Sequence, residues 1–172
     1  MAPHDSLDRG DGSPAGTSPL GPHSPISAAV GLLATEPVLV AQDDPLDSVI
    51  RRAGASPATR VLGVVDPANV LMGVVTSHDL VAAVVGSLAP GALLTQIHDA
   101  DGVGEYARYV EATVAGDLIQ PPAALPDTAT LAEAFRVMHE RHLSGIYVVD
   151  ADGRPTGYLD GLELAAAVVA DG

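Results

Sequence analysis

The chain repeats itself, and an internal repeat restricts the available folds more than any composition does. Residues 64–86, moved along by 84 positions, fall on residues 148–170 without a gap. Val64, Val65, Asp66, Gly73, Leu80, Ala82, Ala83, Val84 and Val85 recur as Val148, Val149, Asp150, Gly157, Leu164, Ala166, Ala167, Val168 and Val169. The upstream order recurs too. Pro37–Leu46 (PVLVAQDDPL) corresponds to Pro122–Leu131 (PAALPDTATL), each an extended piece, an acidic turn and the start of a helix.

Periodicity fills in the unit. A helix is expected over about Leu46–Ala53 and another over Leu131–His142, where Leu131, Ala134, Phe135 and Met138 fall at i, i+3, i+4 and i+7 on one face. Arg51 and Arg52 close the first helix, where cations suit the dipole. An apolar strand follows each helix, Val61–Val65 and then Ile146–Val149. A turn comes next, most clearly Asp150-Ala151-Asp152-Gly153. A last strand runs straight into a helix, as GVVTSHDLVAAVV from Gly73 and GYLDGLELAAAVV from Gly157. Each copy therefore reads β-α-β-β-α. One copy covers only one face of its small sheet, so packing sheet on sheet buries both free faces. The expected fold class is α+β, two such repeats forming an intramolecular pseudo-dimer. Residues 1–25, rich in Gly, Pro, Ser and Asp, read as a disordered tail, in which the triplet Arg9-Gly10-Asp11 follows from composition. The first repeat is assigned to 26–90, a connector and helix to 91–113, and the second repeat to 114–172. Within this division Gly86–Asp101 reads as a loose connector, and Val103–Ile119 as a helical lead-in equivalent to Ser27–Ala34.

Composition excludes several functions. The net charge is −14 and aromatics are 3%, which argues against nucleic-acid binding, since phosphates need cations and bases need stacking partners. The positive charge comes from eight arginines and no lysine, so each arginine has to be located. There is no cysteine, hence no disulfide, thiolate nucleophile or Cys-type zinc site. No apolar run approaches the roughly 18–20 residues that span a bilayer. The N-terminus lacks the basic start and apolar centre of a secretory signal, so a cytoplasmic location is expected. His139 and His142 flank Glu140 but lack further metal ligands nearby in sequence. Asp99, Asp101 and Glu105 lack the third acidic position and the spacing of a calcium loop. No HExxH or GxSxG occurs, and no catalytic constellation is found, so the chain is not expected to be an enzyme.

The ordered set Val64-Val65-Asp66, Gly73–Leu80, Leu118–Pro122, Ser144–Asp150 and Asp152–Gly157 resembles a tandem pair of CBS domains, the module named after cystathionine beta-synthase. The likeness covers about residues 27–172. It implies a stand-alone regulatory, non-catalytic pair with two clefts between its sheets, commonly assembled as a homodimer. It also implies an adenosine-type ligand such as AMP, ADP, ATP or S-adenosylmethionine, with no cofactor required. In nucleotide-binding members a Thr or Ser ends the third strand and an Asp follows three residues later, matching Thr76 and Asp79 here.

Physical chemistry gives that turn two readings. A helix N-terminus offers free N–H groups to a phosphate, Thr76 adds a hydroxyl, and ionised Asp79 can accept from a ribose diol. Val61, Leu62 and Val40 could form an apolar slot for adenine, and Arg60 could reach a phosphate, with Ser77 and His78 alongside. The same Thr-x-x-Asp is equally a capping box, which needs no ligand. Both readings stand together. In the second copy Asp160-Gly161-Leu162-Glu163 keeps the box, but replaces the hydroxyl with a carboxylate that repels phosphate. The second cleft, with Ile146, Tyr147 and Tyr158 nearby, is therefore expected to be degenerate. The function expected is a small-ligand-sensing module signalling through dimer geometry or a further protein partner. The alternative is a ligand-free dimerising scaffold. Neither nucleic acid nor membrane is expected as a partner.

Overall fold

Short runs of Val, Leu and Ile bounded by Gly, Pro and Asp build two three-stranded sheets of identical topology. The computed structural model of the chain describes residues 20–93 and 100–170. In the first sheet β1 (Leu39–Ala41) lies parallel to β2 (Val61–Val65), which pairs antiparallel with β3 (Leu71–Thr76). In the second, β4 (Ala124–Pro126), β5 (Gly145–Val149) and β6 (Pro155–Asp160) repeat that order and those directions. Both hairpins shift register at the same place, Val64/Val65 and Val148/Val149.

The recurring aspartates explain why the turns match. Asp66 Oδ1 accepts from the backbone N–H groups of Ala68 and Val70 at 2.8 and 2.9 Å. Asp150 Oδ1 accepts from those of Asp152 and Arg154, both at 2.9 Å. The third turn residue takes a left-handed backbone in each copy, Asn69 at φ 62° and Gly153 at φ 78°. Asn and Gly are the residues that adopt it at least cost.

Helix α1 is Ile26–Val30, α2 is Leu46–Ala55, α3 is Ser77–Leu88 and α4 is Pro90–Leu93. Helix α5 is Ala100–Glu111, α6 is Leu131–Glu140 and α7 is Gly161–Ala170. A 3₁₀ turn, Ala115–Leu118, precedes β4. Helices α2 and α3 cover the outer face of the first sheet, with Val49 and Leu80 packed against Leu62, Val64 and Val75. Helices α6 and α7 cover the second sheet in the same way. Helix α6 stops two residues short of His142, whose φ of 53° is left-handed and ends the helix.

The lead-in segments are exchanged. Ile26 and Ala29 of α1 pack in the core of the second repeat. Tyr109 of α5, with Ala115 and Leu118, packs in the core of the first. Between the sheets, Val61 and Val74 join the second core, and the Tyr147 hydroxyl lies 2.9 Å from the Val38 carbonyl and 3.1 Å from that of Val61. Val74 and Gln120 exchange both backbone hydrogen bonds, at 3.0 and 2.8 Å.

Three expectations are corrected. Residues 20–25 are part of the fold: Leu20 is buried, and the carbonyls of Pro22 and Ser24 accept from the first N–H groups of α6, Ala132 and Leu131. A helix start with free donors gives even a Pro/Gly-rich segment a place to dock. Residues 1–19, with Arg9–Asp11, lie outside the described residues. The loose connector is partly helical, since α3 runs to Leu88 and α4 follows, with 94–99 (and Asp99) outside the described residues. The lead-in helix is interrupted before the 3₁₀ turn. Asp117 Oδ2 accepts from the N–H groups of Thr113 and Val114 at 2.7 and 3.0 Å, and such side-chain bonds compete with helical ones. Among the described residues no helix is long and apolar enough to cross a membrane, and no group of three His, Asp or Glu could hold a metal ion.

Candidate functional site

Thr76 ends β3 and caps α3. Its Oγ accepts from the Asp79 N–H at 3.1 Å, and Asp79 Oδ2 accepts from the Thr76 N–H at 3.1 Å, so the capping box forms. The Thr76 hydroxyl also donates to that oxygen at 2.6 Å.

Capping does not use up this carboxylate. The Asp79 side chain is only 2% exposed, and donors from two distant segments converge on it. Gln120 Nε2 reaches Oδ2 at 2.7 Å, while Arg108 Nη2 and the Tyr109 hydroxyl reach Oδ1 at 3.1 and 3.0 Å. Helix α5 thus presents a cation and a phenol, and the second repeat's lead-in presents an amide. Burial, and then the Asp79 charge, push the Tyr109 phenol well above its ordinary value, so it remains a donor. The same hydroxyl lies 3.1 Å from Glu105 Oε1, and the Arg108 guanidinium sits 5.0 Å from the Tyr109 ring centroid.

Arg108 and Tyr109 were not singled out from the sequence; Glu105 entered only as part of a rejected calcium loop and Gln120 only within Leu118–Pro122, neither as a site residue. One signal pointed to Arg108: it is the only Arg between Arg60 and Arg136 in a chain without lysine. Nothing tied Tyr109 or Gln120 to Asp79, because they lie 30 and 41 residues from it in sequence.

The other expected residues divide. Ser77 and His78 are exposed on the first turn of α3, and the Ser77 N–H donates to the Arg60 carbonyl at 2.8 Å. Arg60 is exposed where two surface grooves meet. One, of about 430 Å³, runs between α2 and α3. The other, of about 490 Å³, runs between α6 and α7 past His139, His142 and Asp160. Val61 lies between the sheets. Val40 and Leu62 do not: strand alternation turns both toward α2 and α3, where they are fully enclosed and line no slot.

In the second repeat Asp160 caps α7, its Oδ1 accepting from the N–H groups of Leu162 and Glu163 at 3.0 Å each. Glu163 does not complete the box. Its longer side chain reaches out to the backbone N–H groups of Ala34 and Thr35 behind α1. Those bonds, the Ala34 one first, hold the Glu163 carboxyl below the usual range. Asp79 and Glu163 therefore play related parts, each gripping the lead-in of the other repeat. Ile146 and Tyr158 are enclosed in the core, and the Tyr147 and Tyr158 rings meet edge to face with centroids 5.3 Å apart. Neither ring offers a face to a ligand.

Two β-α-β-β-α units, packed sheet to sheet with exchanged lead-ins, define a tandem module. The profile of the CBS domain matches residues 26–86 and 115–170, more than half of the chain, and the chain belongs to that family. Similar solved structures include a CBS domain-containing protein from Thermotoga maritima, 20% identical with a TM-score of 0.69 over 86% of this chain and 96% of its own. The CBS-pair protein CBSX2 of Arabidopsis thaliana, solved in complex with AMP, is 24% identical with a TM-score of 0.64, over 82% of this chain and 96% of its own. A CBS domain pair in complex with 5′-methylthioadenosine and S-adenosyl-L-methionine is 14% identical with a TM-score of 0.59, over 88% of this chain and all of its own. At these identities the likeness establishes the fold. No curated protein is detectably similar in sequence.

Proposed function

We propose that the chain is a non-catalytic regulatory module that senses an adenosine-type ligand at the Thr76–Asp79 notch. One observation carries this reading. Asp79 is a buried carboxylate whose oxygens are met by hydroxyl, amide and guanidinium donors from elements of both repeats. A buried carboxylate that accepts from hydroxyls is what a ribose diol requires. The complexes of similar CBS pairs with AMP, and with methylthioadenosine and S-adenosylmethionine, support the adenosine part. Arg60, whose carbonyl accepts from the Ser77 N–H next to Thr76, is the cation available for an anionic tail, and Asp160 makes the second helix start a poor seat for one.

The module acts as a homodimer in this reading. Val81 and Leu88 on α3, and Leu162 and Val169 on α7, leave large apolar side chains in solvent on the outer helices. Its signal passes through dimer geometry or a further protein partner, in the cytoplasm.

Titration calorimetry of the full chain with AMP, ADP, ATP and S-adenosylmethionine tests the site. At least one of them is expected to bind with a dissociation constant below millimolar. Asp79→Asn, checked for folding by circular dichroism, is expected to weaken that binding at least about tenfold, the value of one charge-assisted hydrogen bond. Absence of binding by wild type, or equal binding by the variant, overturns the assignment. The second reading, a ligand-free scaffold, is favoured by the internal saturation of both carboxylates. It predicts no shift in melting temperature with any of the four ligands.

A further inference from the structure

Helix α5 does more than connect the repeats. Arg108 and Tyr109 occupy one oxygen of Asp79, while Thr76 and Gln120 occupy the other. The hydroxyl of Tyr109 has one proton and two carboxylate neighbours, Asp79 Oδ1 at 3.0 Å and Glu105 Oε1 at 3.1 Å. Arg108 is incompletely satisfied where it stands, because its Nε is buried with no hydrogen-bond partner among the described residues. Two donors of α5 are thus held at Asp79, one with an alternative acceptor beside it and the other short of one. Helix α5 also passes close to α3, since a Cβ on Gly86 would lie 3.1 Å from the Tyr109 carbonyl oxygen.

We propose that Arg108 and Tyr109 form an internal latch that stands in for the ligand's ribose hydroxyls. The inference rests on the ligand reading above and deepens it, naming how the site is regulated and which element carries the signal. A ribose diol that takes Oδ1 of Asp79 displaces Arg108 and turns the Tyr109 hydroxyl, which keeps its proton, to donate to Glu105 instead. It thereby loosens α5 from α3. Gln120 and Thr76 stay on Oδ2, so the inter-repeat contact at Val74 survives. Affinity is set by competition between latch and ligand, and occupancy is reported as a change in α5.

Calorimetry with AMP on the full chain, together with hydrogen exchange of residues 100–111, tests the latch. Arg108→Met keeps the length of the side chain and removes the competing donor. It is expected to tighten AMP binding about tenfold, the value of one charge-assisted hydrogen bond. Tyr109→Phe, a milder change in case Arg108→Met fails to fold, is expected to tighten it several-fold. In wild type AMP is expected to speed exchange in α5. Unchanged or weaker AMP binding by the variants, with α5 exchange indifferent to AMP, overturns the latch while wild-type binding leaves the site assignment standing. Binding by neither removes both the site assignment and the latch.

Discussion

Gly73 sits where the backbone of the second repeat's lead-in crosses β3. A Cβ there would fall 2.3 Å from the Gln120 carbonyl oxygen and 2.5 Å from Ile119 Cγ1. The obstruction is backbone paired to Val74 on both sides, so it cannot swing away. Gly73→Ala is expected to cost about 3 kcal/mol, at the upper end for overpacking. Gly54 in α2 has nothing within 4 Å of its Cβ position, and Gly54→Ala should instead stabilise by about 0.5–1 kcal/mol. Urea denaturation of the two variants checks this contrast, and a similar cost for both would refute it. The recurrence of glycine at 73 and 157 was visible in the sequence. The reason at Gly73, a chain crossing overhead, was not, and at Gly157 the nearest atom is only the Val30 side chain, at 3.3 Å.

At the scale of elements, the telling feature is that each lead-in serves the other repeat. Glu163 at the start of α7 holds the backbone behind α1 through Ala34 and Thr35. Its carboxyl is depressed below the ordinary value of 4.5 by those bonds. A carboxyl depressed on folding contributes stability above the ordinary value and loses it as the pH falls through the folded one. The tie should therefore be complete at neutral pH and fade below about pH 4.5. Glu163→Gln should destabilise the chain at pH 7 and converge with wild type in strong acid. Thermal melts across pH 3–7 measure the gap, and a gap that does not change with pH removes the ionic account. The sequence suggested the box Asp160–Glu163 from spacing alone. Spacing describes local partners: Glu133 at the same position of α6 does close a box on Thr130, whereas Glu163 is taken by the non-local N–H groups of Ala34 and Thr35.

For the whole molecule, the exchange means that neither repeat is a folding unit. A chain of residues 26–90 would leave Ile26 and Ala29 of α1 without the second core and would strip Tyr109, Ala115 and Leu118 from its own. Losing several enclosed apolar side chains exceeds what a domain of that size can spare. Each half expressed alone is expected to show no cooperative thermal transition, and an equimolar mixture should recover one. Far-ultraviolet circular dichroism reads both outcomes, and a cooperative melt of 26–90 alone would contradict the interlocked core.

What the sequence by itself determined is what local periodicity can encode: two copies, the β-α-β-β-α order, the Asp66 and Asp150 turns and the caps at Thr76 and Asp160. Those features depend on residues within a few positions of one another, and the chain carries them in plain form. Only the tertiary structure decided which faces Val40 and Leu62 turn to, that residues 20–25 dock on α6, and that Asp79 is met by Arg108, Tyr109 and Gln120. Such partners are far apart in sequence and are brought together by burial of two shared cores. A buried carboxylate must be satisfied by whatever donors that packing delivers.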